Sequence, residues 1–336
     1  MEEAQRIRML QCPEHPVDVV IDTDTFNEVD DQFALAYLLR NPDRLRLQAI
    51  YAAPFLNEKA DTPRDGMEKS YQEILKLLEL SGTSEYQKRV YKGAEHFLEH
   101  AGNSVQEEQN RIAPAVSAAS EDLIRRAMAH SAENPLYVIG IAAATNIASA
   151  ILCEPEITER MVVVWLGGSA FHCEEMEEFN LAEDPAAAQI LFDSGVPLVQ
   201  LPCWGVVESF SISRPELEKY LIGKNPLADY LAGYAIEAVE EWAAGTAWAK
   251  VIWDVTAVAW LLNDGQRFMN DRLVSCPEIA GDSKDAWRIS GASCFEETDR
   301  LDPMRYVFSK ERHTMRYVYR IERDALMTDL IRKLCL

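Results

Sequence analysis

Short runs of apolar, largely β-branched residues recur along the chain at Val17–Asp22 (VDVVID), Leu45–Ala52 (LRLQAIYA), Leu136–Ile141 (LYVIGI), Met161–Leu166 (MVVVWL) and Leu198–Pro202 (LVQLP). Each is short and ends in polar or Gly/Pro punctuation, which is how buried strands read. Their near-continuous apolar character means that both faces are covered, as in a parallel sheet. Between them lie segments with helical spacing: Asp31–Leu39, Met67–Leu80, Ser120–Ala129, and helices opening at Asn146 and Pro185. Strands that alternate with helices predict a doubly wound sheet. The stretch from Pro215 to Asn263 reads as mainly helical. The tail after Asp264 is mixed, with strands expected near Trp287–Ile289 and Met315–Ile321. No linker divides the chain, so residues 1–336 are expected to form a single α/β domain with a mainly parallel central β-sheet flanked by helices, a Rossmann-like core.

Charge and cysteine usage narrow the partners. The net charge is -22. So acidic a surface repels phosphate backbones and anionic lipid, which argues against nucleic-acid and membrane partners but not against a small neutral substrate. The seven cysteines are scattered without a C-x-x-C pair, which fits free thiols in a reducing compartment. The N-terminal residues lack an apolar run of signal-peptide length, and no stretch is apolar and long enough to span a bilayer. A cytoplasmic enzyme is expected.

The chemistry concentrates where ligands bind such sheets, at the carboxyl end of a strand. After the first strand the chain reads VVIDTDTFNEVDDQFA, which sets Asp22, Asp24, Asp30 and Asp31 close together with Glu28. One aspartate there would serve as a helix N-cap. Four carboxylates repel one another, and a hard cation such as Ca²⁺ or Mg²⁺ would compensate. Two families begin this way. The haloacid-dehalogenase-like phosphatases end a strand in D-x-D-x-T, where Asp22 would be a nucleophile and Asp24 an acid/base beside Mg²⁺. Thr25 sits one place too early for that pattern. The run GDSKD (281–285) imitates the phosphatases' distal acidic motif, but Pro277 breaks the strand that should precede it.

The nucleoside hydrolases end a strand in D-x-D and open the next helix with D-D, as Asp22, Asp24, Asp30 and Asp31 do. Three later segments match that family in order. Thr145, Asn146 and Ile147 resemble its T-N segment. Gly167, Gly168, Glu178, Phe179, Asn180, Asp184, Pro185, Ala187 and Ala188 resemble its double glycine, E-F-N and D-P-x-A-A. Asp254 in WDVTAVAWLL resembles its last aspartate. Four matches in sequence order make the resemblance specific, though it is thin between Lys59 and Glu133 and after Asp264.

The resemblance implies hydrolysis of the N-glycosidic bond of a ribonucleoside, in purine salvage, by a homodimer or homotetramer. It implies Ca²⁺ held by Asp24, Asp31, Asp254 and the backbone carbonyl of Ile141, with Asp22 behind them and Asp24 as general base. Asp30, Asn57, Glu178 and Asn180 resemble the family's ribose partners, and His172 stands where an Asn is common. A non-catalytic ribose-binding relative is the remaining alternative. Two departures stand out. The turn Thr25–Val29 has five residues where three or four are usual, leaving Glu28 free to enter the site. Trp253 replaces the histidine that commonly acts as the leaving-group acid, as in the purine-preferring branch, where an indole stacks on the base and eases its protonation. Trp242 and Trp248 lie near enough in sequence to complete a sandwich, and His96 or His100 could reach in from the poorly matched stretch.

Overall fold

A computed structural model describes residues 1–100, 112–173, 177–280, 304–309 and 312–336. The five expected strands form as β1 (Val17–Thr23), β2 (Leu45–Ala52), β6 (Leu136–Gly140), β7 (Met161–Leu166) and β8 (Leu198–Leu201). They join β3 (Val90–Lys92), β11 (Met269–Ser275) and β14 (Thr314–Ile321) in one eight-stranded sheet of order β11-β14-β8-β7-β6-β1-β2-β3. All neighbours pair parallel except β11 with β14. Three two-stranded ribbons, β4–β5 (Glu99–His100, Ile112–Ala113), β9–β10 (Ser211–Ser213, Ala249–Val251) and β12–β13 (Glu278–Ala280, Arg305–Val307), lie outside it. The run GDSKD and the strand expected near Trp287–Ile289 lie outside the described residues.

The pleat sends alternate residues into two cores. Val19 and Ile21 of β1, Ile139 of β6, and Val162 and Val164 of β7 pack on one face. Val20, Val138, Val163 and Trp165 pack on the other. The first core is closed by α2 (Asp30–Leu39), α3 (Pro63–Leu80), α9 (Pro226–Ala243), α10 (Val255–Trp260) and α11 (Arg323–Leu334). The second is closed by α4 (Ala118–Met128), α5 (Thr145–Cys153) and α7 (Pro185–Asp193). Burial on both faces is why these strands carry almost no alternation. Fully burying each aliphatic or aromatic side chain stabilises the fold by about 1.5–3 kcal/mol.

Helix starts follow local capping chemistry. Thr62 caps α3, and Ser117 with Ser120 forms a reciprocal box on α4, which set boundaries a few residues before those the periodicity suggests. Sheet order then fixes the site. From β1 the chain winds outward through β2 and β3, returns to β6 on the other side of β1, and winds away through β7 and β8. The crevice at the carboxyl ends of β1 and β6 is the switch point where such sheets bind ligands. Among the described residues no helix is long and apolar enough to cross a membrane.

Candidate active site

The carboxyl end of β1 carries Asp22 and Asp24, and α2 begins at Asp30 and Asp31. The intervening turn is fixed by its own polar groups. Asn27 N–H donates to the Asp24 carbonyl (2.7 Å), and the Thr23 and Thr25 hydroxyls share a hydrogen bond (2.8 Å). Thr23 also donates to Asp31 Oδ1. The five-residue turn therefore closes tightly and delivers Asp30 and Asp31 to the crevice. Asp254, at the N-terminus of α10, arrives from the far end of the chain because α10 packs on α2.

Asp30, Asp31 and Asp254 each offer a carboxylate oxygen within 4.8 Å of the others, and all three are buried. Asp24 is buried beside them and takes a hydrogen bond from Asn27 Nδ2 (2.9 Å). Burial is the main force that pushes these carboxyls above their ordinary range. Mutual repulsion adds to it, from Asp24 and Asp30 on Asp31, and from Asp30, Asp31 and Asp24 on Asp254. Among the described residues Asp30 Oδ1 finds no hydrogen-bond partner. A buried, oxygen-only donor set with an unpartnered oxygen fits a hard divalent cation.

Asp22 lies behind this group. Its Oδ1 accepts from Asn146 Nδ2 (2.8 Å), whose own Oδ1 takes the backbone N–H of Ala94 (2.8 Å). Burial raises Asp22 to about 7, opposed by the Asn146 bond. It does not line the cavity, so it is not placed to attack a substrate there.

The cavity itself holds about 350 Å³. Asp24, Asp30, Asp31, Asp254 and Ile141 line it, with Glu178 and Asn180 from the segment after β7. The double glycine prepares that segment. A Cβ on Gly167 would meet the Trp165 ring at 2.2 Å, and Gly168 has φ +70°. Glycine alone relieves both the crowding and the left-handed backbone. Gly168 N–H then donates to Glu178 Oε2 (2.7 Å), and Asn180 and Leu181 N–H also donate to that carboxylate. Asn180 Nδ2 holds the Leu166 carbonyl (3.1 Å). Burial raises the Glu178 carboxyl, against the pull of the Asn180 and Gly168 amides.

A second wall is aromatic. Trp253 and Trp204 meet edge to face with centroids 5.1 Å apart, and Trp242 and Phe179 also line the cavity. Trp248 does not: its indole N–H donates to Glu240 (2.8 Å). Asn57 stands one step back, bonded to Asn27. His172 is exposed and lies against Gly205, next to Trp204, without lining the cavity. His96 faces the Phe97 carbonyl (2.9 Å), and the His100 side chain lies outside the described residues.

Sequence reasoning passed over Asn27, Trp204 and Lys250. Lys250 pairs with Glu28 at the cavity wall. Burial would lower its ammonium, but Asp30 and Glu28 outweigh this and hold it above its ordinary range. A lysine four places before Asp254 and a glutamate two before Asp30 give no local pattern. Their pairing needs β10 to be folded against the turn.

A family model described as inosine-uridine preferring nucleoside hydrolase matches residues 19–327. The pyrimidine-specific ribonucleoside hydrolase RihA of Salmonella enteritidis PT4 is 25% identical over 261 residues, 73% of this chain and 79% of that protein. Among solved structures, a purine-preferring ribonucleoside hydrolase from Gardnerella vaginalis aligns with TM-score 0.69 and 20% identity, covering 95% of this chain and 98% of that one. A plant nucleoside hydrolase, PpNRh1, aligns with TM-score 0.68 and 18% identity, covering 95% and 99%. The shared fold is the single domain with a mainly parallel sheet described above.

Proposed function

Given that the chain belongs to the inosine-uridine preferring nucleoside hydrolase family and is an N-ribohydrolase enzyme, we propose that it hydrolyses purine ribonucleosides to ribose and free base with a calcium-activated water. The observation that carries the calcium reading is the convergence of Asp30, Asp31 and Asp254 within 4.8 Å, with Asp24 buried alongside. Asp24, Asp31, Asp254 and the Ile141 carbonyl would hold the ion, and Asp30 either joins them or turns to the ribose. Bound there, the cation lowers the pKa of a water and orients it.

The protein's own groups do the rest. Asp24 takes the proton of the attacking water, with Asn27 holding its carboxylate in place. Glu178 and Asn180, fixed by backbone hydrogen bonds, grip the ribose hydroxyls. Such contacts favour the flattened, cationic sugar through which an N-glycosidic bond breaks. His172 and Asn57, which do not line the cavity, are the remaining candidates for contact with the ribose or base.

The purine preference rests on the indoles of Trp253 and Trp204 in the cavity wall. They offer a fused bicyclic base more stacking area than a single ring. Relatives of both preferences resemble this chain, so the wall, not the likeness, supports this assignment. A homodimer or homotetramer acting in the cytoplasm completes the proposal. The test is a screen of purine and pyrimidine ribonucleosides for release of reducing sugar, with and without Ca²⁺ after chelation. Ribose from inosine or adenosine in a calcium-dependent manner is expected. No ribose from any nucleoside, with calcium restored, would sink the reading.

A further inference from the structure

Lys250 is the single cation among the described residues lining the cavity, and that lining holds no histidine. It projects from β10, where it pairs with Ile212 of β9. Its strand neighbours Ala249 and Val251, and Trp253 just beyond, line the same space. Its ammonium also lies on Glu28 and within the field of Asp30. Lys250 therefore stands where the carboxylate wall meets the aromatic wall. A nucleoside with its ribose on the carboxylates and its base on the indoles would set its glycosidic bond at that seam. The departing base carries the electron pair of the broken bond, and stacking alone supplies no counter-charge to it.

On the reading of the site given above, we propose that Lys250 is a catalytic residue, the group that hydrogen-bonds the leaving base and balances the negative charge growing on it. Its partner on the base is a ring nitrogen or a carbonyl oxygen conjugated with one. An ammonium has three donors, so Lys250 holds the base without giving up Glu28. The C1′–N bond breaks and its electron pair stays with the base. The new C1′–O bond forms to water, whose proton passes to Asp24 and then to solvent. Lys250 keeps its proton, and the base takes one from solvent on release. Glu28, hydrogen-bonded to the ammonium, fixes it at the seam between the two walls. A preorganised donor aimed at charge that develops in the transition state acts on kcat more than on KM.

The test compares full-length wild type, Lys250→Met and Lys250→Arg on two compounds. One is the nucleoside hydrolysed best by the wild type. The other is 4-nitrophenyl riboside, whose leaving group departs as a stable phenolate. Lys250→Met is expected to lower kcat on the nucleoside by about 100-fold with KM within about three-fold. It should slow the aryl riboside by less than about five-fold, and Lys250→Arg should recover part of the nucleoside rate. Circular dichroism and Tm confirm that each variant is folded. Equal losses on both compounds, a kcat on the nucleoside within about three-fold of wild type, or a change in KM alone would each overturn the role of Lys250 while leaving the hydrolase reading in place. Wild type that released ribose from neither compound would overturn that reading itself, and this role with it.

Discussion

The side-chain amide of Asn57 donates to Oδ1 of Asn27 at 2.6 Å. Asn27 in turn donates to Asp24 at 2.9 Å, and Lys59 Nζ holds the Asn27 carbonyl at 2.6 Å. Asn27, not Asn57, therefore touches the carboxylate assigned as general base. Asn27→Ala removes a hydrogen bond to a charged group, worth about 1.5–3 kcal/mol. A loss of about ten- to a hundred-fold in kcat is expected. Asn57→Ala should cost less than about five-fold in kcat. A large rise in KM for Asn57→Ala with kcat intact would show instead that Asn57 swings in to hold the ribose.

Asp24→Asn keeps the shape of the side chain and removes the proton acceptor. General-base catalysis contributes about 10²–10⁴-fold, so turnover should fall at least that far. Nucleoside affinity, measured by calorimetry, should fall much less. Turnover near wild type would place water activation on another carboxylate of the cluster.

The buried aspartates of the site, with Asp22 behind them, tie stability to pH and to metal. Burial holds Asp22 near 7 and Asp24 near 8 in the folded chain, against about 3.9 for an unfolded aspartate. Their folded pKa values are raised, so the folded state binds these protons more tightly than the unfolded state does. Their contribution is complete below about pH 4 and is lost as pH rises through the folded values. The chelated protein should therefore show a falling Tm between pH 5 and pH 8. Ca²⁺ binds the ionised form, so it should raise Tm more at pH 8 than at pH 5. Asp22→Asn should flatten part of the slope in the chelated protein. A Tm for chelated protein that rises across this window, or one indifferent to calcium at pH 8, would count against the cluster as a cation site.

Asp184 joins three segments around the site. Its carboxylate accepts from Leu98 N–H (2.9 Å), the Thr145 hydroxyl (2.7 Å) and Ala187 N–H (3.0 Å), and it is buried. Asp184→Ala strands three buried donors and should destabilise the fold by about 3 kcal/mol or more, read from urea denaturation. A loss below about 1 kcal/mol would mean that water satisfies those donors.

What the chain revealed in advance follows from where information is local. The five central strands are short apolar runs buried on both faces, so their signal survives in sequence. β3, with three residues, and β11, a half-exposed edge strand, carry no such run and were not anticipated. The acidic cluster was readable because Asp22 to Asp31 lie on one turn and its helix. Asp254 needed the family resemblance, since only the packing of α10 on α2 brings it near. Lys250 and Trp204 reach the cavity through β10 and the loop after β8. Neither segment has a spacing that distinguishes a cavity wall from an ordinary surface.

Trp253 and Trp204 decide the base preference. If their edge-to-face pair receives the base, stacking that tightens as the glycosidic bond stretches and the base settles between the rings acts in the transition state. Trp253→Ala should then lower kcat for inosine by about 1–2 kcal/mol, roughly ten-fold, with a small change in KM. Trp204, half-exposed at the edge, should cost less when replaced. The loss should be larger for inosine than for uridine, because the single ring covers less of the indole. A Trp253→Ala protein whose folded fraction is fully active, with only its Tm lowered, would make Trp253 a packing residue. A wild type that prefers uridine to inosine would contradict the purine assignment directly, and the aromatic wall would then have to be read as a lid on a smaller base.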